Sequence, residues 1–343
     1  MSGPHDHVGQ PLVAAVFVRD RSHRYASTIR SLLLAGVDHV IVGAPALDTA
    51  TAFIVDERTE AVVATSAAAH VNTTSDRFDA TVIALDEPVI VARDAFEHSQ
   101  SMIELDARIA TVNYWSNYAG HLSFPDAVPS SHQGSGTVDA ETGTQRLRSS
   151  DEPLEPVTVP LASGPLVSIS RRALTACGPL IDSGFDELAV SVAEFGLRAA
   201  GRGFVSLLDP TTFVVRPFDL AAPTTPVLTR GEVRGWLHDR HPMFPAAIDP
   251  QLSEAGNPIE RARAVSRARV SGLRVLIDGS VMGAWETGTQ VHLMSLVSAL
   301  ARRDDVERIV VSLPGPTPPY APAALASPAR SPGTTGDALR SAA

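Results

Sequence analysis

Five short apolar runs of strand length occupy the first third of this chain, and segments of helical or turn character separate them. This alternation constrains the fold more than any other feature. Residues 12–18 (LVAAVFV), 37–42 (VDHVIV), 61–64, 80–85 (ATVIAL) and 109–112 are the runs. Between the first two, Tyr25 to Ala35 sets Ile29, Leu32 and Leu33 on one face at helical spacing, and Gly36 stops the helix. Residues 92–105 read as a further helix, and 70–79 (HVNTTSDRFD) as a helix or turn. Strands that alternate with helices predict an α/β fold with a mainly parallel sheet, because parallel neighbours need a crossover between them. In such sheets ligands sit beyond the carboxyl ends of the strands. Functional residues are therefore sought just after each apolar run.

Composition narrows the function classes. The chain has 343 residues, room for about two domains. The net charge of −10 argues against a nucleic-acid partner, which needs a concentrated basic face. A small anionic ligand is still compatible, since backbone amides can hold a phosphate. Cys177 is the one cysteine, so neither an internal disulfide nor a thiolate metal site can form. The first ten residues lack a basic stretch followed by an apolar core, and no apolar run reaches spanning length. The expectation is a cytoplasmic protein, with peripheral contact at the inner face of the membrane left open. The Ala, Arg, Asp and Pro bias suggests a bacterial genome of high GC content.

The second half changes character. Residues 126–156 are rich in Ser, Gly, Thr, Asp, Glu and Pro and are expected to be a mobile insertion. Residues 251–271 form an Arg-rich helical linker whose basic stripe is expected to face solvent. Residues 272–314 read as strand, Gly-containing loop, amphipathic helix and strand, a single βαβ unit. Residues 315–343 are Pro, Ala and Ser-rich and are expected to be disordered.

The stretch 161–217, LASGPLVSISRRALTACGPLIDSGFDELAVSVAEFGLRAAGRGFVSLLDPTTFVVRP, carries the most specific signal. A Gly opens an apolar run that ends in Arg171 and Arg172. The turn GFDE follows, then a helix ending LRAAGRG and a last strand. Upstream, ARIATVNYWSNYAGHLSFP holds Ser116, Asn117, Ser123 and Pro125 in a loop-like setting. In order and spacing, residues 10–250 resemble the GT-A, family 2, rhamnosyltransferase-like glycosyltransferases. The fold this implies is a mixed, mainly parallel sheet with flanking helices. The implied activity is transfer of a sugar from a nucleotide-sugar donor to a carbohydrate or lipid-linked glycan acceptor, with inversion, in surface polysaccharide or glycan assembly. Residues 272–314 resemble the first unit of a GT-B, family 4, glycosyltransferase.

The resemblance assigns roles position by position. Glu194 falls where the family has its general base. Asp86 and Glu87 fall on the first two acids of the metal-binding triplet, Asp48 and Asn72 on donor-pocket positions, and Ser116 and Asn117 on acceptor-binding ones. A carboxylate pair at a strand end suits Mg²⁺ or Mn²⁺, which take oxygen ligands. Several letters depart from the pattern. Gly43 stands where the base-contacting Asp is expected, and Pro88 where the third acid is. Ser191 and Val192 replace two acids, and Arg216 replaces a His. Arg216 suggests direct neutralisation of a diphosphate, so metal-dependent and metal-independent readings both stand. Glu194 also reads as an acid that suits the helix dipole, and Asp48 as a turn residue. A catalytically inactive GT-A-like structural or glycan-binding domain is the alternative function.

Overall fold

The structure is a computed structural model. It describes residues 11–20, 22–126, 138–149, 152–185, 187–217, 227–281, 288–303 and 306–312. Two compact units divide the chain, the first running to Arg263 and the second starting at Ala264. The expected disordered tail and parts of the expected insertion, 127–137 and 150–151, lie outside the described residues.

The first unit opens with β1 (Val13–Phe17), α1 (Arg24–Leu34), β2 (His39–Ala44), α2 (Leu47–Thr51), β3 (Thr59–Val63), α3 (Ala67–Phe78) and β4 (Val82–Leu85). It continues through α4 (Glu97–Leu105), β5 (Ile109–Ser116), α5 (Ala140–Arg148), β6 (Val157–Val159), β7 (Leu166–Ile169) and α6 (Arg171–Cys177). Then come α7 (Leu188–Ala200), β8 (Val205–Val214), α8 (Gly231–Arg240) and α9 (Asp249–Ser253), and α10 (Pro258–Ser271) leads out of it. Among the described residues the strands form one eight-stranded sheet in the order β3-β2-β1-β4-β7-β5-β8-β6. Strands β1, β2, β3 and β4 run parallel, as do β5 and β8; β7 and β6 are antiparallel to their neighbours. The expected α/β class with a mixed, mainly parallel sheet is what the chain adopts.

Side-chain alternation along the strands builds the core on both faces. Ala14, Val16, Ile83 and Leu85 pack with Ile29, Leu32, Met102 and Ile103 from α1 and α4. Ala15, Phe17, Val82 and Ala84 pack with Val71, Leu174, Val192 and Phe195 from α3, α6 and α7. The result is three layers, helix, sheet, helix. Helix α7 is buried on nearly every side, because its other face meets Val233, Leu237, Phe244 and Ile248 through Val190 and Ala193.

Three expectations are corrected. Residues 140–148 form α5 rather than part of a mobile loop. Asp139 caps it by accepting the Thr142 N–H at 2.9 Å, and Leu147 and Thr144 are buried, with Thr144 accepting the Phe213 N–H at 3.1 Å. Residues 92–96 lie outside the predicted helix, 93–96 in turns, and the helix starts at Glu97. The basic stripe before 271 is not all solvated. Arg263 donates to the carbonyl oxygens of His121 (2.5 Å) and Ser123 (3.0 Å) and covers the Trp115 ring.

In the second unit β9 (Leu273–Asp278) pairs in parallel with β10 (Val306–Ser312), and α11 (Gly288–Leu300) joins them. Glu307 accepts from both Arg267 (2.7 Å) and Arg274 (3.0 Å). Among the described residues no helix is long and apolar enough to cross a membrane.

Candidate active site at the carboxyl ends of β4 and β5

Residues far apart in sequence meet where β4 and β5 end. Asp86 and Glu87 leave β4, Tyr118 to His121 leave β5, and Glu187 sits just ahead of α7; all line one cavity of about 920 Å³, counting its open side. Ser163, Gly164 and Pro165 enter from the start of antiparallel β7. Most of the remaining lining is apolar and comes from α8, α9 and the turns beside them.

Every carboxylate on this lining has a guanidinium partner. Asp86 pairs with Arg19, which follows β1. Its Oδ2 also accepts the Leu188 N–H at 2.7 Å, so Asp86 satisfies one of the open N–H groups at the start of α7. The Tyr25 hydroxyl donates to the Asp86 carbonyl at 2.9 Å. Burial pushes the Asp86 carboxyl above its usual range, opposed by Arg19 and the Leu188 N–H. Burial, reinforced by the Asp86 charge, likewise pushes the Tyr25 phenol up. Glu87 accepts from Arg216 at 2.6 Å, Glu187 from Arg230 at 2.7 Å, and Asp249 from Arg234 at 2.6 Å. Arg216 lies 4.9 Å from the centre of the Tyr118 ring. Burial raises the Tyr118 phenol, with Glu87 adding to the rise.

Asn117 holds Arg216 in place. Its Oδ1 accepts the Arg216 N–H and its Nδ2 donates to the Arg216 carbonyl, each at 2.7 Å. Ser116 is fully buried, and its Oγ accepts the Tyr118 N–H at 3.2 Å. The Ser-Asn pair, expected to bind acceptor hydroxyls, thus anchors the strand ends that carry Tyr118 and Arg216. Neither residue is on the cavity lining.

Other predicted positions lie elsewhere. Asn72 is committed to a clamp between α3 and the loop after α6, accepting the Leu180 N–H at 2.8 Å and donating to the Leu180 carbonyl at 2.9 Å. Asp48 is exposed in the first turn of α2, where a negative charge suits the helix dipole. Glu194 is only 2 % exposed and is absent from the cavity lining. Arg198 donates Nε–H to its Oε1 and Nη2–H to its Oε2, both at 3.0 Å, and His241 Nε2 stands 3.3 Å from Oε1. Ser191, Val192 and Ala193 are buried between the sheet and α8, which is why acids have no place there.

Gly43 has its own explanation. A Cβ at this position would fall 2.7 Å from Cγ and Nδ1 of His70. The imidazole fills the space a side chain at 43 would need, and its Nε2 lies 2.9 Å from the Ile41 carbonyl oxygen. Gly43→Ala is expected to lower stability by about 1–3 kcal/mol through overpacking. An unchanged urea midpoint would show that the ring does not press on position 43.

The residues present do not fit a divalent ion. Asp86 and Glu87 are each engaged by an arginine, and Pro88 supplies no side-chain oxygen. Among the described residues no group of three or more His, Cys, Asp and Glu could hold a metal.

Sequence reasoning missed Arg19, Tyr118, Glu187 and Arg230. A signal for Glu187 existed in the GFDE turn. Arg230 had none, because it reaches the cavity from a segment outside the strand-helix pattern.

No protein-family profile and no curated protein sequence matches the chain. Among solved structures, a crystal structure of GalNAc-T7 with UDP, GalNAc and Mn²⁺ is similar at 13 % identity and a TM-score of 0.42. The similarity covers 61 % of this chain and 44 % of that one, less than half of the other protein's length.

Proposed function

We propose that the first unit is a glycosyltransferase-type domain that binds a nucleotide sugar beyond the ends of β4 and β5 and works without a divalent ion. One observation carries this reading. Three segments of the rhamnosyltransferase-like pattern, separated in sequence, contribute Asp86 with Glu87, Tyr118, and Glu187 to the lining of a single cavity. A glycosyl transfer with inversion needs a carboxylate that takes the acceptor proton as the sugar carbon bonds to the acceptor oxygen and the nucleoside diphosphate leaves. Glu187 is the carboxylate suited to that role, because its side chain keeps 27 % exposure, whereas Glu194 keeps 2 %. Arg19 and Arg216 pair with Asp86 and Glu87, which lowers the repulsion that those carboxylates would offer a diphosphate. The acceptor is a glycan or a glycan-bearing molecule, and the setting is polysaccharide or glycan assembly.

A second reading is a non-catalytic domain that binds the same ligands. The sealing of Glu194 favours it. Calorimetric titration with UDP, dTDP and GDP, each with Mn²⁺ and with EDTA, tests the shared part. One nucleotide is expected to bind with the same affinity under both conditions. Binding that requires Mn²⁺ would overturn the metal-free reading, and no binding of any nucleotide would overturn both. Glu187→Gln is then expected to lower transfer about 10²–10⁴-fold, the usual contribution of a general base. Retained transfer in that variant excludes Glu187 as the base. Nucleotide binding without transfer to any acceptor supports the non-catalytic domain.

A further inference from the structure

Two side-chain bonds tie the turn after β5 to the segment ahead of β7. His121 Nε2 stands 2.9 Å from the Leu161 carbonyl oxygen, and the Ser163 hydroxyl donates to the Ala119 carbonyl at 3.0 Å. His121, Leu161 and Ser163 all border the cavity. These bonds fix which atoms of the corner still have a hydrogen to give. A carbonyl oxygen only accepts, so the hydrogen of a neutral imidazole sits on Nε2 and Nδ1 keeps its lone pair. Burial lowers the His121 pKa to about 4, opposed by the Leu161 bond and aided by the Arg263 charge, so the ring is neutral at pH 7. Ser163 has likewise spent its one hydroxyl hydrogen.

Nδ1 takes no hydrogen bond from a described residue. Nor is it sealed in: among the described residues the buried side-chain nitrogens and oxygens without a partner are Ser22 Oγ and Arg308 Nε. It therefore opens to space, and the space that the ring borders is the cavity. This acceptor differs from the others on the lining. Glu87 and Glu187 are carboxylates already held by Arg216 and Arg230, whereas Nδ1 is uncharged and unclaimed. A phosphate oxygen or an ionised carboxylate has no hydrogen to give it and would set lone pair against lone pair. A hydroxyl brings the hydrogen that the corner lacks.

From this polarity, and resting on the glycosyltransferase reading above, we infer that His121 is a specificity-determining residue whose Nδ1 accepts a hydrogen bond from a hydroxyl of the bound sugar. That hydroxyl belongs either to the sugar of the nucleotide donor or to the glycan acceptor. The diphosphate is kept off this position.

The test is ¹⁵N NMR of the full chain labelled in histidine, with the His121 signals assigned by their loss in His121→Gln. Without ligand at pH 7, Nε2 is expected to carry the hydrogen and Nδ1 to be bare. The opposite tautomer overturns the proposal. UDP-glucose, dTDP-glucose and GDP-mannose are then compared with UDP, dTDP and GDP, and methyl β-glucoside is added alone. A hydroxyl at Nδ1 moves that resonance upfield. A response to a nucleotide sugar but not to its diphosphate assigns the hydroxyl to the donor; a response to methyl β-glucoside assigns it to the acceptor. An equal response to a bare diphosphate assigns Nδ1 to the nucleoside and overturns the proposal, as does silence with every probe. Calorimetry gives the second readout. His121→Phe keeps a ring but cannot accept, and is expected to weaken the responding sugar ligand about two- to tenfold, the range of one hydrogen bond, with no change for the bare diphosphate. His121→Gln, whose amide can donate to Leu161 and accept through its oxygen, is expected to retain most of the affinity. Undiminished sugar affinity in folded His121→Phe, or an equal loss for the diphosphate, overturns the proposal. The NMR result stands if that variant does not fold. Diphosphate binding with a silent Nδ1 removes this site and leaves the glycosyltransferase reading. A response to methyl β-glucoside without binding of any nucleotide keeps the site and removes that reading.

Discussion

Replacing Arg198 by alanine is expected to destabilise the first unit by about 3–5 kcal/mol, the usual consequence of stranding one partner of a buried ion pair. Glu194 is 2 % exposed, and two nitrogens of Arg198 hold its two oxygens. The same guanidinium donates to the carbonyl oxygens of Cys177, Gly178 (3.2 Å) and Pro179 (2.8 Å), tying the end of α6 to α7. Truncation leaves a buried carboxylate with only His241 nearby and three carbonyls without this donor. Equilibrium urea unfolding reads the effect as a shift of midpoint at constant slope. The double variant Arg198→Ala with Glu194→Leu should recover most of the loss, because it removes the stranded charge as well. A single-variant loss below about 1 kcal/mol would place Glu194 in water, as expected of an exposed pair. The same pair bears on function. Glu194→Gln keeps the shape of the side chain and should retain transfer activity, since a carboxylate bonded to Arg198 inside the fold is not placed to meet an acceptor.

Central strands were legible because β1 and β4 are buried on both faces and are apolar throughout. The runs at 12–18 and 80–85 therefore announce β1 and β4 with errors of only a residue or two. Helix α5 was not legible. It buries only one side of a polar segment, and its signal is a capping Asp139 with four small or isolated residues, Ala140, Gly143, Thr144 and Leu147, that face inward. The site was legible in part. Asp86 and Glu87 follow an apolar run, so their place at a strand end could be read, as could Arg216 near the site, but Arg19 and the pairing of each carboxylate with an arginine could not. Arg19 lies 67 residues and Arg216 129 residues from its partner. Glu194 invites misreading because its neighbours Ser191, Val192 and Ala193 look like a depleted polar surface. They are buried on a helix held between the sheet, which Val192 meets, and α8, which Ala193 meets. Gly43 looks like a lost ligand contact, and the cause lies in His70, 27 positions further along the chain.

His70 also sets the acid limit of the fold. Its ring is 2 % exposed, and burial lowers its pKa to about 4, only partly opposed by the bond to the Ile41 carbonyl. In the unfolded chain the same ring titrates near 6.5. Between these values the unfolded state binds the proton and the folded state does not, so stability rises with pH across this window. Each pH unit within that window is worth about 1.36 kcal/mol for one proton. On acidification from about pH 6.5 to 4 the native state therefore loses roughly 3 kcal/mol through this one residue. Burial lowers His121 to about 4 as well, so the two rings act in the same direction. His98 opposes them at the other end of the scale. The Asp209 carboxylate raises its pKa, so its contribution is fully present below the unfolded value and is lost as pH rises through the folded one. The outcome is a stability maximum near neutrality with a steep acid side. Urea unfolding at half-unit steps between pH 4 and 7 measures the slope. In His70→Gln the slope should fall by close to one proton while the stability at pH 7 changes by less than the acid loss, since glutamine cannot titrate. An unchanged slope in that variant would show that the ring beside Gly43 is open to protons, and that the space at position 43 is not closed by a neutral imidazole.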